Sequence, residues 1–134
     1  MRITHDAPRP AADVVADLVA HCRARGLVVL RTTPTPGGRD GRPSYVIELA
    51  DPLPSVPADA VSSPAAKDAY PLSVFEVAPG WSRVATIPPT ALVDLLGHPE
   101  AGPAARALEA TLHDAIEAAV AGRPPRRVTP PATG

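Results

Sequence analysis

Apolar positions recur with helical spacing in two places along the chain and alternate with polar ones in three others. From Pro10 to Arg25, a turn of 100° per residue puts Ala11, Val14, Val15, Leu18 and Cys22 on one face and Asp13, Ala16, Asp17, Ala20 and Arg23 away from it. Pro10 suits the first turn and Gly26 the stop. Leu27–Thr33 is short and β-branched, which predicts a strand. The stretch from Pro34 to Pro43 is dense in Pro and Gly and predicts a loop. Segment 44–50 alternates, with Tyr45, Ile47 and Leu49 facing one way and Val46 and Glu48 the other, as a half-buried strand requires.

Residues 51–68 hold prolines at 52, 54, 57 and 64 and little periodicity, so a long irregular connection is expected, with one helical turn near Ala65–Asp68. Pro71–Val77 and Trp81–Ile87 flank Pro79-Gly80 and predict a β-hairpin closed by a type II turn. Thr90 is placed to cap a short helix through Leu96 that Gly97 closes. Gly102-Pro103 opens a final helix with Ala104, Ala105, Leu108, Leu112, Ala115, Ile116 and Ala119 as its apolar stripe. A first strand near Arg2–His5 completes the set. The prediction is one α+β domain over residues 1–121: a mostly antiparallel sheet of four or five strands, covered on one face by two long helices and one short one. The Pro/Arg tail 122–134 is expected to be disordered.

Composition narrows the picture. Of 134 residues 45% are apolar, but 25 are Ala and only four are aromatic, so the core is thin and aliphatic. Thirteen basic residues against fourteen acidic ones leave a net charge of -1, which argues against nucleic acid as a partner. Twelve of the thirteen cations are Arg, with Lys67 the exception, a pattern that fits high-GC coding. Cys22 is the single cysteine, so no intramolecular disulfide can form. No apolar run suggests a signal peptide or a membrane span, and a cytoplasmic protein is expected.

Chemistry-bearing motifs are sparse. Gly37-Gly38-x-x-Gly41 precedes a strand and lacks the context of a phosphate loop. There is no Cys pair and no His-x3-His, so neither a metal nor a cofactor is expected. Glu109, His113 and Glu117 share one helix face, opposite the apolar stripe, where solvated charges belong. His98-Pro99-Glu100 falls in an inter-helix turn. Cys22 reads as a buried, inert thiol and His21 as half of an exposed pair with Asp17. The remaining polar residues lie on or beside strands. Should neighbouring strand ends converge, Glu48, Asp51, Tyr70 and Arg83 would line one pocket in which carboxylate and phenol can do acid–base work. The alternative is edge-strand charges and a turn-forming Asp-Pro.

The order of these elements resembles the family called domain of unknown function 302. Leu27-Val28-Val29-Leu30 after Gly26 is similar to its opening strand, Val46 to Pro52 to its strand ending in Asn-Pro, and Tyr70 to Val77 to its Leu-Pro-Cys strand. Val84 to Leu92, Leu95 to Glu100 and the last amphipathic helix resemble the rest. The resemblance covers most of residues 1–121. It implies a small α+β domain that often self-associates, and no agreed reaction. Asp51 stands where the family has Asn, and Leu72 where it has Cys, so thiol or metal chemistry resting on that Cys does not carry over.

The functional expectation is a small-ligand or partner-binding module, homodimeric, with neither nucleic acid nor membrane as partner. The alternative is a small cofactor-independent enzyme (an isomerase, cyclase or lyase) acting on an apolar metabolite through Glu48, Asp51, Tyr70 and Arg83.

Overall fold

The computed structural model describes residues 3–35, 41–50, 69–97 and 99–124. Five strands, β1 (Ile3–Ala7), β2 (Val29–Pro34), β3 (Ser44–Ala50), β4 (Ala69–Ala78) and β5 (Trp81–Thr86), form one antiparallel sheet in the order β1-β5-β4-β3-β2. Three α-helices complete the fold: α1 (Ala11–Ala24), α2 (Pro89–Leu96) and α3 (Gly102–Val120), the last preceded by a 3-10 turn at Pro99–Ala101. This is the α+β architecture that the patterning predicts.

Alternation decides which face of the sheet is covered. Ala7, Ile47, Leu49, Tyr70, Leu72, Val74 and Val84 are buried beneath α1 and α3, whose own buried stripes include Val14, Leu18, Leu112 and Ile116. α1 lies over the central strands and α3 over β1. Among the described residues the opposite face, carrying Val46, Glu48, Ser73, Phe75 and Arg83, has no helix packed on it.

Several boundaries move for identifiable reasons. α1 ends as expected, with Gly26 at φ +83. Gly26 N–H donates to Arg23 O and Leu27 N–H to Cys22 O, so the helix stop consumes Leu27 and β2 starts at Val29. A bulge between Val29 and Arg31 interrupts β2. Pro79-Gly80 forms the predicted tight turn, with Gly80 at φ +74. Thr90 does not cap α2. Pro88 holds the cap position and Pro89 opens the helix, a place where a missing N–H costs nothing, so Thr90 falls inside the first turn. Pro10 is likewise the residue before α1. The first N–H of α1, on Ala11, points to Glu76 Oε2 at 3.4 Å, and Glu76 Oε1 accepts the Gly80 N–H at 3.2 Å. The sequence readings at Asp51, 51–68, His98 and 125–134 lie outside the described residues.

Arg9 ties the two long helices together. Its Nη1 donates to Ala119 O at 2.6 Å, near the end of α3, and its Nη2 pairs with Asp17 of α1 at 2.8 Å. Arg9→Ala is expected to lower stability by about 1 kcal/mol, since Ala119 O loses a charged donor but keeps the Gly122 N–H, and the partly exposed ion pair adds little. Urea unfolding followed by circular dichroism measures this, and a change within experimental error would show that the clamp is idle.

Among the described residues no helix is long and apolar enough to cross a membrane.

Candidate functional site

The sheet register separates the strand residues that the sequence brought forward. Glu48 lies opposite Pro71 and Arg83 opposite Phe75, both on the open face. With β4 between them, they stand about 13 Å apart along the strands and about 10 Å across them. Tyr70 faces the helices and is 5% exposed. Asp51 lies outside the described residues. Each of the three placed residues has its own partner. Arg31 Nε on β2 is the counter-charge to Glu48 Oε2, an oxygen shielded from solvent, and the contact is a charge pair and not an aligned hydrogen bond. Arg83 donates through Nε and Nη2 to the two carboxylate oxygens of Asp6 at 2.7 and 3.1 Å. That fork holds the Asp6 carboxyl below its ordinary range and raises Arg83. The open face thus carries one ion pair near each edge, with Val46, Ser73, Phe75 and Ala85 between them.

Tyr70 finds different company. Its hydroxyl donates to Ile87 O. Thr86 Oγ1 donates to Pro71 O at 3.0 Å alongside. Burial pushes the phenol up to about 12, and the negative charge of Glu109 on α3 adds to the shift. Glu109 in turn accepts from Thr90 Oγ1 at 2.7 Å and from Thr90 N–H at 3.3 Å. This carboxylate was expected on a solvated face. It instead tethers α2 to α3, because α2 folds back over the start of α3. The structure therefore brings Tyr70 towards Glu109, not towards Glu48.

The next turns of the same α3 row meet β1. His113 Nε2 stands 3.3 Å from Glu117 Oε1, and the His5 ring of β1 packs edge-on against the His113 ring, centroids 4.8 Å apart. Partial burial and the neighbouring His113 lower the affinity of His5 for a proton, against the opposing pull of Glu117 and Asp6. A groove of about 440 Å³ opens beside this seam, lined by Ile3, Arg106, Glu109, His113 and Asp114. Sequence reasoning missed His5, which lies 108 positions from His113. The available signal was the Ile3-x-His5-x-Ala7 alternation of a first strand.

A second groove of about 650 Å³ lies where α1 and α3 end, lined by His21, Arg25, Asp114, Glu117 and Arg123. His21 is buried, which corrects the exposed Asp17–His21 pair: Asp17 turns to Arg9 instead. His21 Nε2 lies 2.6 Å from Arg123 O and Nδ1 lies 3.1 Å from Arg25 Nη1. A carbonyl only accepts and a guanidinium only donates, so the ring proton sits on Nε2. Cys22 is a buried free thiol, pushed up to about 11 by burial, with Arg25 opposing the shift. Among the described residues no group of three or more His, Cys, Asp or Glu is placed to hold a metal ion.

No family model and no curated protein matches the chain. Among solved structures, the crystal structure of an uncharacterized conserved protein of domain of unknown function 302 from Bacillus stearothermophilus matches it with a TM-score of 0.67, over 87% of this chain and 95% of that one, at 18% identity. Identity that low speaks for architecture alone. With its α–β order, antiparallel sheet and one-sided helical cover, the chain has the fold of domain of unknown function 302, the family its short motifs resemble.

Proposed function

We propose that the protein is a non-catalytic binding module whose working surface is the open face of the sheet, with a second copy of the chain as its partner. The observation that carries this reading is where the exposed apolar side chains fall. Among the described residues five large ones are exposed: alternation puts Trp81 on the open face, and Val28 and Ile87 stand just beyond the ends of β2 and β5, beside the half-buried Val46 and Phe75. Apolar patches rimmed by charge mark interaction surfaces. An interface between identical copies must be self-complementary. Glu48 and Arg83 lie on opposite sides of Ser73, Glu48 two residues along β4 in one direction and Arg83 two in the other, on flanking strands. A two-fold axis lying in the face and passing over Ser73 exchanges those two positions, so each Glu48 meets the partner's Arg83. Sheets stacked this way cross at a steep angle, one of the two usual packings.

The enzyme alternative needs a carboxylate and a phenol free to exchange protons with one substrate. The Tyr70 hydroxyl is engaged by Ile87 O and faces away from Glu48 and Arg83, so the geometry supports binding better.

Sedimentation velocity at about 50 μM tests the proposal, a concentration that populates dimers of micromolar affinity. The wild type is expected to sediment as a dimer and Ser73→Arg as a folded monomer. Leu95→Arg, on an exposed position of α2 away from the sheet, is expected to remain dimeric. A monomeric wild type, or a dimer indifferent to Ser73→Arg, would overturn this reading.

A further inference from the structure

We propose that the His5–His113 contact is a pH-sensitive clasp that fastens the edge strand β1 to α3 and, through the alternation of β1, governs how firmly Asp6 stays on Arg83 at the open face. The last part rests on the proposed binding face; the clasp itself does not.

Among the described residues β1 pairs with β5 on one side and has no strand on the other, so its attachment depends on that ladder and on what its covered face touches. Ile3, His5 and Ala7 point towards the helices, and Thr4 and Asp6 point the other way. His5 therefore meets α3 while its neighbour Asp6 meets Arg83, and one strand carries both contacts.

α3 presents His113 and Glu117 to His5, the β5 residue opposite is the apolar Val84, and the charge of Asp6 acts on it from the other face of β1. Around His113 stand Glu117 at 3.3 Å and, along the adjoining groove, Arg106, Glu109 and Asp114. Neutral imidazoles pack edge to face without penalty. A single positive charge on the pair has a counter-charge, because the Glu117 carboxylate stands 3.3 Å from His113 Nε2. A second proton sets two cations within 4.8 Å, one of them partly shielded from water. Burial depresses the proton affinity of His5 most, and the neighbouring His113 adds to it. By linkage, the folded state then binds fewer protons than the unfolded chain in the imidazole range, so this contribution to stability is present above the ordinary histidine value of 6.5 and is lost as pH falls below it. β1 is the element that yields, since it has one neighbour where β5 has two.

Amide hydrogen exchange between about pH 7.5 and about pH 5.5, corrected for the intrinsic rate, tests the clasp. In the wild type the β1 amides are expected to lose about threefold in protection on acidification while those of β4 hold. His113→Phe keeps an aromatic ring and removes the charge, so the loss is expected to shrink to the part that burial of His5 sustains, and the His5 titration midpoint to rise. Glu117→Gln is expected to lower the His5 midpoint, and carries the test if His113→Phe does not fold. An equal loss of protection in wild type and His113→Phe, or a His5 midpoint that ignores both variants, overturns the clasp. Sedimentation at both pH values separates the two ideas. Weaker self-association at the lower pH supports the link to the open face. Unchanged self-association with a titrating clasp overturns that link alone, and a wild type monomeric throughout overturns the binding-face reading and leaves the clasp standing.

Discussion

Raising the pH from about 9 to about 12 is expected to cost the fold about 4 kcal/mol, in two steps that belong to two buried groups. Burial moves the Cys22 thiol from an ordinary 9.0 up to about 11, and the Tyr70 phenol from 10.0 up to about 12. Both groups are neutral when protonated, so the folded protein keeps protons that the unfolded chain gives up. The stability is fully present below the unfolded values and drains away as pH climbs through each window, Cys22 first. Each shift corresponds to about 2 kcal/mol after allowance for partial solvent screening. Urea midpoints across this range measure the slope. Cys22→Ala should flatten its lower part and Tyr70→Phe its upper part, whatever each does to stability at neutral pH. A slope that survives both substitutions would show that other groups drive alkaline unfolding.

Leu72→Ala is expected to destabilise the protein by about 3 kcal/mol and to lower the melting temperature by about 10 °C. Leu72 is fully buried on the covered face of β4 and sits opposite Ile47, also fully buried. The helices above contribute many alanines, such as Ala11, Ala105, Ala115 and Ala119, which have no length to spare for filling a void. Leu95→Ala, at a position 82% exposed, is expected to change stability by less than about 0.5 kcal/mol. Thermal unfolding of both variants checks the contrast, and a Leu72→Ala loss below about 1 kcal/mol would mean that the core closes over the gap. The neighbour Ser73 points to the open face, so adjacent residues of one strand separate stability from binding.

Most of the scaffold was legible because periodicity reports burial. The Tyr45-Ile47-Leu49 alternation, the Ala11-Val14-Leu18-Cys22 stripe and the Leu108-Leu112-Ala115-Ile116-Ala119 stripe match the buried sets. Gly26 and Pro79-Gly80 were legible because their backbone angles admit few other residues. The site was less so. Glu48, Tyr70 and Arg83 were grouped because all three interrupt or flank strands, yet strand ends say nothing about register. Two facts of register, Glu48 opposite Pro71 and Arg83 opposite Phe75, set them four positions apart along β4. The polarity of Glu109 and His21 also misled. Both lie at helix positions that a soluble helix exposes, but α2 folds back onto one and Arg123 reaches the other.

The amino-acid sequence by itself determined the elements, which side of each is apolar, and the fold class they build, because those follow from interactions within a few residues of chain. Only the tertiary structure decided that His5 meets His113, that Tyr70 lies within the field of Glu109, and that two ion pairs flank Ser73 on a face that no described helix covers. Such meetings depend on strand order and register, and these are set by burial summed over the whole domain. No local pattern encodes that sum.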